Sequence, residues 1–217
     1  MNRVIIAGAS GLIGKELLYQ LLNNNEVKEV VALVRKPLTT QHSKLIQIQI
    51  DFEDLNSFSD EIYGDAFYCC LGSTIKKTPD LADYKKVDFD YPLALAQLAS
   101  ANEIAQFHII SALGADINSK LFYPRIKGEI EEELKKIKFK STHIYQPSLL
   151  SGERSENRLL EKIAVFAMQF INPLLLGSLR KYRSIRVSTI AKAIINQTFK
   201  NIEGINIYPS NIIEQLA

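Results

Sequence analysis

Apolar residues along this chain fall into two recurring patterns, short uninterrupted runs and stripes spaced three or four apart, and the two alternate from the start. Arg3-Val4-Ile5-Ile6-Ala7 and Val30-Val31-Ala32-Leu33-Val34 are runs that suit strands buried in a parallel sheet. Between them Ile13, Leu17, Leu18, Leu21 and Leu22 recur at helical spacing, and Asn23-Asn24-Asn25 closes that helix. Residues 45–50 alternate Ile with Gln, the period of a third strand. Residues 66–71, closed by Gly72, give a fourth, residues 107–110, closed by Ser111, a fifth, and His143-Ile144-Tyr145 begins a sixth. Residues 91–103 set Leu93, Leu95, Leu98 and Ala99 among alanines, which predicts a helix with Pro92 in its first turn or just before it. Residues 127–138 predict a charged amphipathic helix with Ile130, Leu134 and Ile137 on one stripe. Helices over 159–170 and 190–199 follow, then a late strand at 205–208.

Strands that alternate with helices or short crossovers predict an α/β fold, a Rossmann-type doubly wound parallel sheet with helices on both faces. No Gly/Ser or Pro-rich linker divides residues 1–217, so one domain is expected, with residues 151–217 as a small C-terminal substrate cover. A 47% hydrophobic and 23% charged composition suits a chain with a substantial core. The net charge of +2 recruits neither nucleic acid nor an anionic membrane, and the basic cluster 180–186 is too thin a basis for nucleic-acid binding. Cys69 and Cys70 are adjacent and alone, and His42, His108 and His143 are scattered, so no metal site is expected. With no secretory signal pattern and no long uncharged apolar span, the expected location is the cytoplasm, without stable membrane insertion.

The chemistry starts at residues 6–14, Ile-Ala-Gly-Ala-Ser-Gly-Leu-Ile-Gly, a Gly-x-x-Gly-x-x-Gly run between a strand and a helix. Gly8 allows a sharp turn, Gly11 lets the backbone approach a pyrophosphate, and Gly14 lets helix and strand pack closely. Gly8, Ser10, Gly11, Leu12, Ile13 and Gly14 are therefore the expected dinucleotide cradle, with the helix N–H groups facing the phosphates. A site for a free ribose 2′-hydroxyl carries an acid at the end of the second strand, whereas this chain has Arg35 and Lys36 there. Two cations suit a 2′-phosphate, hence NADP(H). Asp51 and its neighbour Phe52 are expected at the adenine end, Asp51 either accepting from the adenine amino group or capping the turn that follows.

Ser111 ends the fifth strand, at the sheet edge where ligands bind, and Tyr123 and Lys127 follow as Tyr-x-x-x-Lys. Positions four apart share a helix face, so the ammonium can act on the phenol and bring its pKa down toward useful proton transfer. Ser111 can then hold a carbonyl oxygen. Pro124 belongs in a helix's first turn and disfavours the helical region for Tyr123, which is expected where the helix starts.

In Gly8 to Gly14, Cys69-Cys70-Leu71-Gly72-Ser73-Thr74, Val87-Asp88-Phe89-Asp90-Tyr91, Ser111-Ala112-Leu113-Gly114-Ala115-Asp116 and the stretch 123–129, the chain resembles the atypical short-chain dehydrogenases/reductases, within them the Tat-interacting-protein family. The resemblance implies a Rossmann-type fold, NADPH binding and a Ser-Tyr-Lys site, which falls on Ser111, Tyr123 and Lys127. It also implies that Leu71, Gly72, Ser73 and Thr74 line the cofactor groove and that Pro147 neighbours the nicotinamide, with Lys127 also binding ribose. Ala112 and Gln146-Pro147-Ser148 depart from the family pattern of a second serine and of Arg-Pro-Gly. The expected function is NADPH-dependent reduction of a small-molecule carbonyl substrate. The competing class is a non-catalytic NADPH-binding regulator, and a homodimer or a protein partner stays open. A sugar epimerase is disfavoured by the short stretch after the sixth strand, and a thiol mechanism at Cys70 by its expected burial.

Overall fold

The computed structural model describes residues 1–151, 175, 177–200 and 202–217. Its centre is a sheet of seven parallel strands, β1 (Arg3–Ala7), β2 (Glu29–Val34), β3 (Leu45–Gln49), β4 (Ala66–Cys69), β5 (Gln106–Ile110), β6 (Ser141–Gln146) and β9 (Gly204–Pro209), in the order β3-β2-β1-β4-β5-β6-β9. Val4, Ile5, Ile6 and Ala7 are all fully buried, as a run without polar alternation requires when both faces of a sheet are covered. One face carries α1 (Leu12–Leu22) and α5 (Val187–Thr198), and the other α3 (Tyr91–Ala101) and α4 (Phe122–Leu134). The doubly wound sheet expected from the alternating pattern is thus present. Its order reverses between β1 and β4, and because every strand is parallel, the loops after β1, β2, β4, β5 and β6 converge on one edge there.

Three elements differ from the reading of the periodicity. The helix expected at 91–103 starts ten residues earlier, as α2 (Leu81–Lys85) capped by Asp80, whose side chain accepts from the Ala82 and Asp83 N–H groups at 2.8 and 3.0 Å. A π-helical turn at Lys86–Asp90 joins α2 to α3 and masks the continuity, because its wider winding breaks the 3.6-residue rhythm. Helix α4 begins at Phe122 rather than 127, with Pro124 in its first turn, where the missing N–H costs nothing.

The C-terminal part is the third difference. A short parallel pair, β7 (Leu150–Ser151) with β8 (Ile185–Arg186), leads into α5 against α1, then β9 as the outer strand of the main sheet, then α6 (Ser210–Leu216). Residues 185–217 complete the sheet and one of its faces, since Tyr208 and Ile213 join the same core as α1. The expected helix at 159–170 lies outside the described residues.

Candidate functional site

The glycine run turns as its spacing demands. Gly8 has φ +85°, and a Cβ there would stand 2.5 Å from the Cys70 carbonyl oxygen, so the turn is wedged against the start of the loop after β4. At Gly14 a Cβ would sit 2.1 Å from the Gly8 carbonyl oxygen, which makes this glycine the contact of helix with strand. Gly11 donates its N–H to the Gly8 carbonyl at 2.9 Å and stands exposed at the N-cap of α1, with no side chain capping the helix. The uncapped first turn, Leu12, Ile13 and Gly14 preceded by exposed Ser10, offers N–H groups and the positive end of the helix dipole to an anion. This backbone fits a dinucleotide diphosphate.

At the same edge of the sheet, α4 carries Lys127 inward, toward the end of β5. The ammonium is buried and meets Asp88 Oδ1 at 2.9 Å, with a longer donation to the Ile110 carbonyl at 3.4 Å, directly before Ser111. Asp88 comes from the π-helical turn and is itself buried, and its second oxygen accepts from the Ser73 N–H at 2.7 Å. One carboxylate therefore ties the lysine to the loop after β4. Burial pulls the Lys127 pKa down, but Asp88 and Tyr123 outweigh it and the ammonium lies above the usual lysine range.

Tyr123 lies one turn before Lys127; the residue is 40% exposed, and its ring is edge-on to Tyr84 at 6.4 Å. Here the electrostatic expectation is corrected. Burial raises the phenol, Lys127 lowers it, Asp88 raises it again, and the net shift is upward. The cation that was to bring the phenol down already has an anion 2.9 Å away.

Ser111 donates its hydroxyl proton to Glu131 Oε1, while its N–H binds the Tyr145 carbonyl at 2.7 Å. Glu131 is also buried, and both of its oxygens accept from Gln146 Nε2, at 3.0 and 2.9 Å. Burial raises its pKa, only partly countered by Ser111, Gln146, Lys135 and Lys127. Sequence reasoning missed Asp88 and Glu131. Asp88 stood inside a quoted motif without a role, and Glu131, four residues after Lys127, could have been placed on the same inward face of α4.

The remaining expected residues are distributed along the same edge. Ser73 and Thr74 are held in a tight turn, with Ser73 Oγ 2.6 Å from Thr78 Oγ1 and Thr74 accepting at its carbonyl from Lys77 and Thr78, and Leu71 and Gly72 lead into it. Pro147 is buried, and its carbonyl accepts from Leu113 N–H at 3.0 Å, which joins the loops after β5 and β6. Arg35 and Lys36 are exposed past β2. Asp51 Oδ1 accepts from the Glu53 N–H at 2.9 Å, the capping alternative, and buried Phe52 lies against Tyr91 at 5.3 Å. Cys69 is fully buried with its thiol pushed up to about 11, and Cys70 is raised further, so neither supplies a thiolate nucleophile. Among the described residues no cluster of His, Cys, Asp and Glu could hold a metal ion, and no helix is long and apolar enough to cross a membrane.

A family model described as NAD(P)H-binding matches residues 8–171. The rat protein HTATIP2 is 36% identical over 166 residues, 74% of this chain and 68% of the relative. The Aspergillus niger protein fmp52, mitochondrial, is 28% identical over 212 residues, covering 94% of this chain and 90% of that one. The solved structure of MoeE5 with UDP-glucose and NAD superposes at a TM-score of 0.72, with 15% identity over 94% of this chain and 74% of the other. A Thermotoga maritima UDP-glucose 4-epimerase with UDP-glucose gives 0.70 at 14% identity, covering 96% and 77%. At such identity these two establish the fold alone. The expected cytoplasmic location is overturned by the fungal relatives, which are named mitochondrial.

Proposed function

From the membership of this chain in the Tat-interacting-protein family of atypical short-chain dehydrogenases/reductases, and so among NAD(P)H-binding proteins, we propose that it reduces a carbonyl compound with NADPH. The observation that carries this reading is the phenol of Tyr123, held protonated one turn from a buried, fully charged Lys127 at the edge of the crevice that the glycine turn opens. A phenol keeps its proton at neutral pH until the carbonyl oxygen takes up charge, and the Lys127 charge one turn away favours the phenolate that the transfer leaves.

Gly8, Gly11 and Gly14 with the start of α1 hold the diphosphate, and Arg35 and Lys36 meet the 2′-phosphate as charge partners. When bound, NADPH supplies the hydride. Tyr123 gives its proton to the carbonyl oxygen, and Lys127, fixed by Asp88, holds its positive charge next to the phenolate that this leaves and donates to the cofactor's ribose. Ser111 positions the carbonyl oxygen.

Two measurements test the reading. NADPH should raise the melting temperature more than NADH, and Arg35→Ala should remove most of the difference; equal responses in the parent chain would defeat the NADP assignment. Tyr123→Phe should abolish turnover of any aldehyde or ketone found in a broad panel while leaving NADPH affinity nearly intact. Turnover that survives the substitution would remove Tyr123 from the mechanism.

A further inference from the structure

A serine hydroxyl carries one proton, and Ser111 donates its proton to Oε1 of Glu131. A carbonyl oxygen needs a donor, so a serine that donates inward can offer the groove only its lone pairs. Those lone pairs suit an alcohol or phenol hydroxyl instead. Glu131 is buried, reached at both oxygens by Gln146, and stands one turn after Lys127 on the same helix. Resting on the reductase reading, we infer that Glu131 is a positioning residue that sets the polarity of Ser111. As a carboxylate it makes the serine an acceptor toward the groove; as a carboxylic acid donating to Ser111 Oγ it makes the serine the donor that a carbonyl requires.

Among the described residues the groups that face Glu131 are few. Its own helix brings Lys127 before it and Lys135 after it, both of which favour the carboxylate. The strand ends of the sheet bring Ser111 and Gln146, which are uncharged. Burial outweighs them all and holds the carboxyl above the ordinary glutamate range. The acid form is the one with Ser111 as donor, so carbonyl reduction rises as pH falls through the Glu131 titration.

The full chain labelled with 13C at glutamate carboxyl carbons reports this titration without any substrate. One carboxyl should titrate above the rest, vanish in Glu131→Gln, and move further up in Ser111→Ala, which removes a donor to the carboxylate. Kinetics with NADPH and a carbonyl from the panel form the second arm. The parent chain should lose kcat as pH rises. Glu131→Gln, whose amide donates to Ser111 Oγ at every pH, should flatten that limb. The inference is overturned if Ser111→Ala leaves the Glu131 titration unmoved, or if Glu131→Gln keeps the parent limb. Should no carbonyl be turned over, the titration alone decides: an upward shift in Ser111→Ala upholds the coupling while the reductase reading falls, and an unmoved titration overturns the coupling too.

Discussion

Two buried polar clusters lie on opposite faces of the same sheet, and they are built on different terms. Under α1 and α5 the cluster is neutral: His108 and His143 stack at 4.4 Å, His108 pairs with the Tyr145 hydroxyl at 3.2 Å, His143 with that of Tyr208 at 3.0 Å, and Tyr68 with Thr198 at 2.9 Å. Under α3 and α4 it is charged, with Lys127 against Asp88, and Glu131 taking up Ser111 and Gln146. Hydrogen-bonded aromatic rings can fill the middle of a core at little cost. Buried ions pay desolvation that their attraction only roughly repays, so they contribute little net stability for the effort of burying them. Their position at the strand ends, beside the glycine turn, gives them a chemical reason to be there.

If that distinction holds, the largest response comes from splitting the ion pair. Asp88→Ala leaves an ammonium buried without its anion and should cost about 3–5 kcal/mol in denaturant unfolding. Asp88→Asn with Lys127→Met removes both charges and should recover most of that loss while abolishing turnover. A double variant no more stable than the single one would place the pair on the structural side of the comparison.

Acid probes the neutral cluster. Burial pushes His143 down from 6.5 to about 4, and burial with His143 nearby pushes His108 well below its ordinary value. Above pH 6.5 the rings are neutral in folded and unfolded chains alike, so their contribution is complete there. As pH falls from 6.5 toward 4 the unfolded chain binds protons that the folded chain refuses, and stability declines, by roughly 3 kcal/mol for His143 alone. Unfolding followed at a series of pH values checks this, and His143→Phe should make the slope shallower.

The contrast between the clusters also explains what could be read beforehand. The strands of the sheet were legible because Val30 to Val34 or Val4 to Ala7 admit only one kind of burial, and the glycine turn because Gly8 and Gly14 leave no space for a Cβ. Ser111, Tyr123 and Lys127 could be picked out by spacing and order. Asp88 could not, since its role depends on a π-helical turn that moves it off the rhythm of α3. Glu131 could have been placed beside Lys127 by its spacing, but its partners Ser111 and Gln146 come from two strand ends that the sequence does not bring together. The phenol's raised pKa was hidden as well, because it comes first from burial and then from Asp88, an anion supplied by a distant segment. Where β9 would go was a matter of long-range pairing, and its own sequence resembles any edge strand.

A smaller effect sharpens the neutral side. Thr198→Val removes the partner of the buried Tyr68 hydroxyl and should cost about 2 kcal/mol, the penalty of an unpaired buried polar group. Adding Tyr68→Phe takes away the stranded hydroxyl, so the double variant should be less destabilised than the single. Both should leave NADPH affinity unchanged, because Thr198 lies at the opposite end of the strands, where Gln106 at the start of β5 donates to its carbonyl at 3.2 Å.

Smallest of all is the control on α4 itself. Arg125 and Glu129 form an i,i+4 pair at 3.7 Å with 43% and 29% of their side chains exposed, two positions from a buried pair of the same chemistry. Water already solvates these charges and salt screens them, so Arg125→Ala should change unfolding free energy by less than about 0.5 kcal/mol, against the several expected at Asp88. The ratio of the two responses measures how much burial, rather than charge pairing as such, gives the inward face of α4 its weight. Comparable losses at both positions would mean that the helix responds to any missing charge, and the distinction between its two faces would fail.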